Sequence, residues 1–236
     1  MSRRLSGPPI PIPPPGGEDG KYLIAIDPLD GSGNVDVAGQ MGTIFGIYKR
    51  PATGKPVTIE EFYQPGRNLV AAGYVLYGPC TMMVYTAGGP VNGFTLDRSI
   101  GTFFLTHPNL KIPEGTGAYS INEANAETFP EGYQKYLRFA HSSGYTSRYI
   151  GSMVSDVHRT LIRGGVFIYP PTAKNPDGKL RLLYEANPMA MLIEQAGGLS
   201  SSGDQPTMQI QPDRLHQRVP VLLGSPEEVA RVREYL

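Results

Sequence analysis

Asp27 and Asp30, three residues apart in the stretch LIAIDPLDGSGNVD from Leu23 to Asp36, are the residues whose types and spacing point most directly to chemistry. Carboxylate oxygens are preferred ligands of Mg²⁺ and Mn²⁺, and such hard cations commonly sit between one or two protein carboxylates and a substrate phosphate. Pro28 fixes the turn after the apolar run, while Gly31, Ser32, Gly33 and Asn34 let backbone N–H groups approach an anion closely, with a hydroxyl and an amide beside them. Metal and phosphate can then share one corner, which suits metal-assisted phosphoryl transfer to water. Asp-Pro and Asp-Gly are also ordinary turn dipeptides. The combination is what argues for a site: a strand-like run, two aspartates three apart, then four small or polar residues in series.

At 236 residues the chain is long enough to bury a substantial core. Lysine plus arginine balance aspartate plus glutamate at 21 each, so no global field favours nucleic acid or an anionic membrane, and any anion must be bound locally. Cys80 is the only cysteine, which excludes an internal disulfide and a thiolate metal cluster and sets a reducing, cytoplasmic location as the expectation. No window approaches the roughly 18 consecutive apolar residues of a membrane span, and the N-terminus lacks the apolar core of a signal peptide. Residues 1–20 hold six prolines and four glycines and read as a disordered tail ahead of a domain over 21–236.

The elements that must position the two aspartates follow from periodicity and turn residues. Tyr22 to Ile26 reads as a buried strand ending at Asp27-Pro28, and Gly42 to Lys49 as the next strand. Leu69–Tyr77 and Thr81–Thr86, separated by GPC, read as a hairpin that Gly93–Leu96 and Thr102–Thr106 extend into an antiparallel meander. In the second half, Met153, Val154, Val157, Leu161 and Ile162 fall on one helical face that Gly164-Gly165 ends, and VFIYP from Val166 resumes a strand. Asn187 is expected to cap a helix with Pro188 at its first position, running to Gln195 and ending at Gly197-Gly198. Val219 to Leu223 reads as a last strand and Pro226 as the start of a C-terminal helix. The sum is a layered α/β fold with mixed sheets and no internal repeat.

Several blocks together carry a resemblance. DPLDGSGNVDV with GTIFGIYKR is similar to the metal and phosphate motif of class I fructose-1,6-bisphosphatases, and the likeness continues in order through NLVAAGYVLYG, AYSINEAN, SRYIGSMVSDVHRTLIRGGVFIYP, GKLRLLYEANPMAMLIEQAGG and LHQRVPVLLGSPEEV. It covers essentially everything after residue 20. The resemblance implies the layered sugar-phosphatase fold, without its N-terminal helical part, and Mg²⁺- or Mn²⁺-dependent hydrolysis of the 1-phosphate of fructose 1,6-bisphosphate. It implies metal ligation by Asp27, Asp30, Glu185 and the main-chain carbonyl of Leu29. Asp30, Gly31 and Ser32 would hold the reacting phosphate. Asn122, Tyr149, Tyr169 and an Arg148 lent by a neighbouring subunit would bind the other phosphate, with Lys179 on the sugar phosphate and Gly151, Met153 and Leu180 lining the sugar. A homo-oligomer, a tetramer in the family, is implied, with a sugar bisphosphate as substrate and neither nucleic acid nor membrane as partner.

Departures from the family pattern set further expectations. Family members carry a longer segment before the equivalent of Lys21, with most of an AMP inhibitor site, a pair of metal-binding glutamates and acidic residues that activate water. Gly33 stands for a serine, Asn125 and Ala126 occupy the neighbourhood of a tyrosine, and Lys49 replaces an arginine, although Lys21 and Tyr22 match the nucleotide site. Impaired turnover, absent AMP regulation and an exposed apolar sheet face are therefore expected. A silent sugar-phosphate-binding paralogue or assembly partner, and a sedoheptulose 1,7-bisphosphatase, are the alternatives. His107, His141, His158 and His216 lack ligand spacing and read as structural or surface residues, and no nucleophile elbow accompanies them.

Overall fold

A computed structural model describes residues 20–51, 54–203 and 205–236; the proline-rich stretch read as a tail lies, Gly20 apart, outside them. Six strands run as an antiparallel meander in sequence order: β1 (Tyr22–Asp30), β2 (Met41–Lys49), β3 (Leu69–Tyr77), β4 (Thr81–Thr86), β5 (Val91–Asp97) and β6 (Thr102–Leu110). Strict alternation fixes which face is core. Leu23, Ala25, Ile44, Tyr48, Ala72, Tyr74, Leu76, Met82 and Val84 are buried, whereas Tyr22, Ile24 and Ile26 are exposed. The expectation of a buried first strand is thus corrected. β1 is the sheet's edge and is covered on one face only.

The second half builds a five-stranded mixed sheet, in the order β11 (Leu199–Ser201), β13 (Val221–Gly224), β9 (Val166–Tyr169), β7 (Ala118–Ser120) and β8 (Thr146–Ser147). The pairings β9–β7 and β7–β8 are parallel. Between the two sheets lie α2 (Met153–Arg163) and α3 (Asn187–Gln195), whose Val154, Val157, Leu161, Met189, Leu192 and Ile193 share one core with the meander. Beyond the mixed sheet, α1 (Glu131–Ser142) and α4 (Pro226–Arg233) close a second core around Tyr136, Ile168, Leu222 and Val232. Among the described residues no helix is long and apolar enough to cross a membrane.

Three further differences from the sequence reading have simple causes. The strand expected over Val219 to Leu223 is two strands, β12 (Arg218–Val219), which pairs with β10 (Leu180–Arg181), and β13; Pro220, with no N–H to donate, marks the switch. Asn187 does not cap α3: a π-helical turn, Leu182–Ala186, feeds directly into that helix, and Asn187 is already helical, with φ −62° and ψ −48°. Its buried side chain instead donates to the Tyr48 hydroxyl at 3.3 Å. Helix α1, whose apolar Tyr133, Tyr136, Leu137 and Ala140 follow helical spacing, was not anticipated.

One part-buried polar pair ties α2 to the meander. His158 Nδ1 lies 2.8 Å from the hydroxyl of the fully buried Tyr74. Burial first, then the neighbouring His107, pushes the His158 imidazole down to about 4. The folded state therefore holds His158 neutral where the unfolded chain would protonate it. Its stabilising contribution is complete above the unfolded value of about 6.5 and is lost as pH falls toward 4, on the order of 3 kcal/mol. Urea unfolding measured at pH 7 and pH 4.5 should show the wild type losing more stability on acidification than His158→Gln; parallel losses in the two proteins would contradict this assignment.

Candidate active site

The register of β1 against β2 slips by one residue between Asp27 and Asp30, which pair with Ile44 and Gly42. This bulge bends the strand end so that both aspartates turn toward the same corner. The bend is held locally: Asp27 Oδ1 accepts from the Leu29 N–H at 3.0 Å, and Thr43 Oγ1 donates to the Pro28 carbonyl at 2.9 Å. Glu185 arrives from the π-helical turn that precedes α3, where its Oε2 accepts from the Arg181 N–H at 2.5 Å. One carboxylate oxygen from each of Asp27, Asp30 and Glu185 lies within 4.8 Å of the others.

Electrostatics make this trio costly in isolation. Asp30 is buried, and desolvation raises its carboxyl above the usual range even though Val154 and Ser152 donate to it. Burial and the adjacent Asp27 and Asp30 push Glu185 up to about 8. Among the described residues no lysine, arginine or histidine forms an ion pair with any of the three. Three clustered carboxylates without a counter-charge favour either a proton or a cation between them, and an all-oxygen donor set fits a hard divalent ion.

The start of α2 locks this corner in place. Asp30 Oδ2 accepts from Ser152 Oγ at 3.0 Å and from the Val154 N–H at 2.8 Å, so a meander carboxylate satisfies an N–H of the first helical turn. Gly31 follows with φ +76°, and a Cβ there would sit 2.7 Å from Ser152 Oγ, so only glycine fits. Ser32 opens a 3₁₀ turn, Ser32–Val37, with no side-chain cap, and Ser32 and Gly33 are exposed at the lip.

A cleft of about 1100 Å³ extends from the corner and is lined by Asp27, Leu29, Asp30, Gly31, Ser32, Tyr149, Gly151, Met153, Tyr169, Lys179, Leu180 and Glu185 among others. Of the remaining residues expected in the site, Asn122 stands beside the Tyr149 hydroxyl while its Oδ1 accepts from the Ala124 N–H at 3.1 Å. Burial and the nearby Tyr169 hold the Tyr149 phenol up to about 12, so it stays a neutral donor at physiological pH. Arg148 is exposed, does not line the cleft, and donates to the Ser147 carbonyl at 3.2 Å.

Sequence reasoning missed several contributors. Asp156, buried within α2, accepts from the Ile150 and Gly151 N–H groups at 2.7 and 3.0 Å and from Ser120 Oγ at 2.8 Å, pinning the loop that carries Tyr149. That loop ends at Ser152, which reaches Asp30, so Tyr149 and the carboxylate corner share one hydrogen-bonded frame. Ser152 stands just before an apolar-periodic helix, the one sequence signal available for it. At the cleft wall, His216 Nδ1 lies 2.6 Å from the Tyr184 hydroxyl, to which Arg181 Nε donates at 3.2 Å. His216 is thus a cleft residue, not merely a surface one.

Comparison with known proteins places these features in company. Residues 14–108 match the model of the fructose-1-6-bisphosphatase N-terminal domain, and residues 112–236 match that of the C-terminal domain. Among solved structures, the fold is similar to Leishmania major fructose-1,6-bisphosphatase in holo, apo and T-state forms, each at 43% identity and a TM-score of 0.88. The alignments cover 92% of this chain and 69%, 72% and 71% of those chains, respectively.

The corner itself generates a stability prediction. Gly31→Ala forces a Cβ against Ser152 Oγ in a left-handed backbone conformation and should destabilise the fold by about 1–3 kcal/mol. Combining it with Ser152→Gly removes the steric part and should restore some of that loss in a urea-unfolding cycle; strict additivity of the two changes would show that the contact does not matter.

Proposed function

Since the chain belongs to the fructose-1,6-bisphosphatase family, we propose that it hydrolyses fructose 1,6-bisphosphate to fructose 6-phosphate and phosphate, at the corner formed by Asp27, Asp30 and Glu185. This makes it a phosphoric monoester hydrolase of carbohydrate metabolism, specifically of gluconeogenesis. The observation that carries the assignment of the site is the convergence of the three carboxylates within 4.8 Å at the mouth of the large cleft.

Asp27, Asp30, Glu185 and the Leu29 carbonyl would hold a divalent cation, with Mg²⁺ or Mn²⁺ matching their hard oxygen donors. When bound, the ion supplies neutralisation of the charge on the reacting phosphate. Ser32 Oγ and the N–H groups after Gly31 orient that phosphate from the other side, at a lip where backbone can approach closely. At the far end of the cleft, the Tyr149 and Tyr169 hydroxyls, Asn122 and Lys179 grip the second phosphate, combining neutral donors with one cation. Gly151, Met153 and Leu180 border the sugar between them. Because Asp156 and Ser152 tie the Tyr149 loop to the Asp30 corner, the spacing between the two phosphate sites would be fixed by protein, which favours one bisphosphate length.

Arg148 points to an oligomer. An exposed guanidinium outside its own cleft serves phosphate recognition only if a neighbouring copy receives it, and its planar fork suits that role. A single, exposed, free Cys80 is compatible with a cytoplasmic setting.

Phosphate release from fructose 1,6-bisphosphate in Mg²⁺, with EDTA as control, tests the assignment. Turnover that falls at least about a hundredfold in Asp27→Ala, and that EDTA abolishes, is the expected result. Substrate binding with no turnover would favour a silent sugar-phosphate binder, and faster turnover of sedoheptulose 1,7-bisphosphate would move the substrate assignment. Removing one hydroxyl in Tyr149→Phe should raise KM several-fold with kcat little changed, because that donor acts remotely from the reacting phosphate; an equal loss in kcat alone would count against the subsite.

A further inference from the structure

One wall of the cleft is cationic. Lys179, Arg181 and Arg218 line it, and among the described residues none of the three forms an ion pair with a carboxylate. A long cationic side chain loses much rotamer freedom when it is fixed, so a cation that must meet an anion at one place gains from being held beforehand. Arg181 is held in this way. Its Nε donates to the Tyr184 hydroxyl at 3.2 Å and its Nη1 reaches the Lys179 carbonyl at 3.4 Å, while Nη2 makes no hydrogen bond to protein among the described residues. The Tyr184 hydroxyl in turn lies 2.6 Å from His216 Nδ1, and the two rings meet edge to face at 5.8 Å and 88°.

The order of protons along this chain follows from what each group can do. A guanidinium only donates, so the hydroxyl accepts from Arg181 and has its single proton left for His216 Nδ1. That requires an imidazole able to accept. Burial first, then the charge of Arg181, keeps His216 below its usual range and hence neutral at physiological pH, although its outer side is exposed. Backbone sets His216 at this place: the Leu182 N–H donates to the Gln217 carbonyl at 2.8 Å, and Arg181 pairs with Arg218 across β10 and β12.

We propose that His216 is a positioning residue, which acts through the Tyr184 hydroxyl to hold the Arg181 guanidinium in the cleft, ready for the phosphate of a bound ester. What Arg181 meets rests on the phosphate-ester reading given above; how Arg181 is held rests on the hydrogen bonds alone. Without an acceptor at His216, the Tyr184 proton turns to water, and water then competes for the Arg181 Nε–H as well. The guanidinium would become one of the many mobile arginines of a protein surface, and an incoming anion would have to order it. The carboxylate corner does not share this dependence, because Glu185 is fixed by the main-chain N–H of Arg181 and not by its side chain.

Arginine Nε–H signals of the ¹⁵N-labelled 236-residue chain read the holding of Arg181 without any substrate, with Arg181→Lys supplying the assignment. The wild type should show an Arg181 Nε–H as ordered as the backbone. In Tyr184→Phe and His216→Leu the signal should be lost to exchange with water or become mobile, and His216→Asn, whose amide oxygen stands close to the Nδ1 position, should restore it. With fructose 1,6-bisphosphate, Tyr184→Phe and His216→Leu should raise KM about fivefold, and His216→Asn should return it to within about twofold of the wild type. Loss of folded protein alone would lower kcat and leave KM where it was. If the wild type does not hydrolyse the ester, the proposed reaction falls, and the Nε–H signals still decide the role of His216. Should the His216 variants fail to unfold cooperatively, the wild-type imidazole decides: long-range proton–nitrogen spectra at neutral pH should show Nε2 protonated and Nδ1 bare. A mobile Arg181 Nε–H in the wild type, equal order in all the variants, a His216→Asn no better than His216→Leu, a KM that does not move in an active enzyme, or a protonated Nδ1 would each overturn the proposal.

Discussion

The interaction on which the candidate site depends is the pair of hydrogen bonds that Asp30 accepts from Ser152 and Val154. A carboxylate at the end of an edge strand is mobile and solvated unless something fixes it. Here the first turn of α2 supplies two donors, and with them the favourable end of a helix dipole. Once Asp30 is fixed, Gly31 has to pass under Ser152 in a left-handed conformation, and the exposed 3₁₀ turn that follows is placed at the cleft lip. The same helix carries Asp156, which fixes the loop bearing Tyr149. One helix start therefore sets the geometry of both the carboxylate corner and the Tyr149 loop.

The counterpart of this order is unfavourable charge. Packing Glu185 against Asp27 and Asp30 in a poorly hydrated corner costs stability, as the upward displacement of its carboxyl to about 8 reflects. Such a cluster makes physical sense as a place prepared for positive charge, where the penalty is offset when the cation arrives. The π-helical turn that delivers Glu185 is itself an irregularity of the kind often found where a side chain must be aimed. Local irregularity and clustered acidic charge thus coincide at one place, while the surrounding cores are regular and apolar.

Much of this was legible in the sequence, unevenly. The meander could be read because alternation and short turns are local signals, and the bend at Asp27 could be read because it concentrates carboxylates, proline and glycine in eight residues. Glu185 could not be read from its own neighbourhood: nothing local marks one glutamate among many, and only resemblance across the whole block singled it out. Asn187 was misplaced because a side chain suited to capping was used instead to meet Tyr48 in the core. β1 reads as a buried strand because a short run of apolar residues looks alike whether one face or two is covered. Ser152 and Asp156 carry no local signal for the bonds that matter most to the site, whose partners lie 122 residues away for Asp30 and 36 for Ser120.

The central claim is that three carboxylates from two distant segments form one cation site. Diffraction from crystals of the chain grown with Mn²⁺, recorded at the manganese absorption edge, tests it most directly. The account predicts an anomalous peak about 2.1 Å from oxygens of Asp27, Asp30 and Glu185 together, with the Leu29 carbonyl within reach. A peak bound elsewhere, or saturating Mn²⁺ with none at this corner, would contradict it.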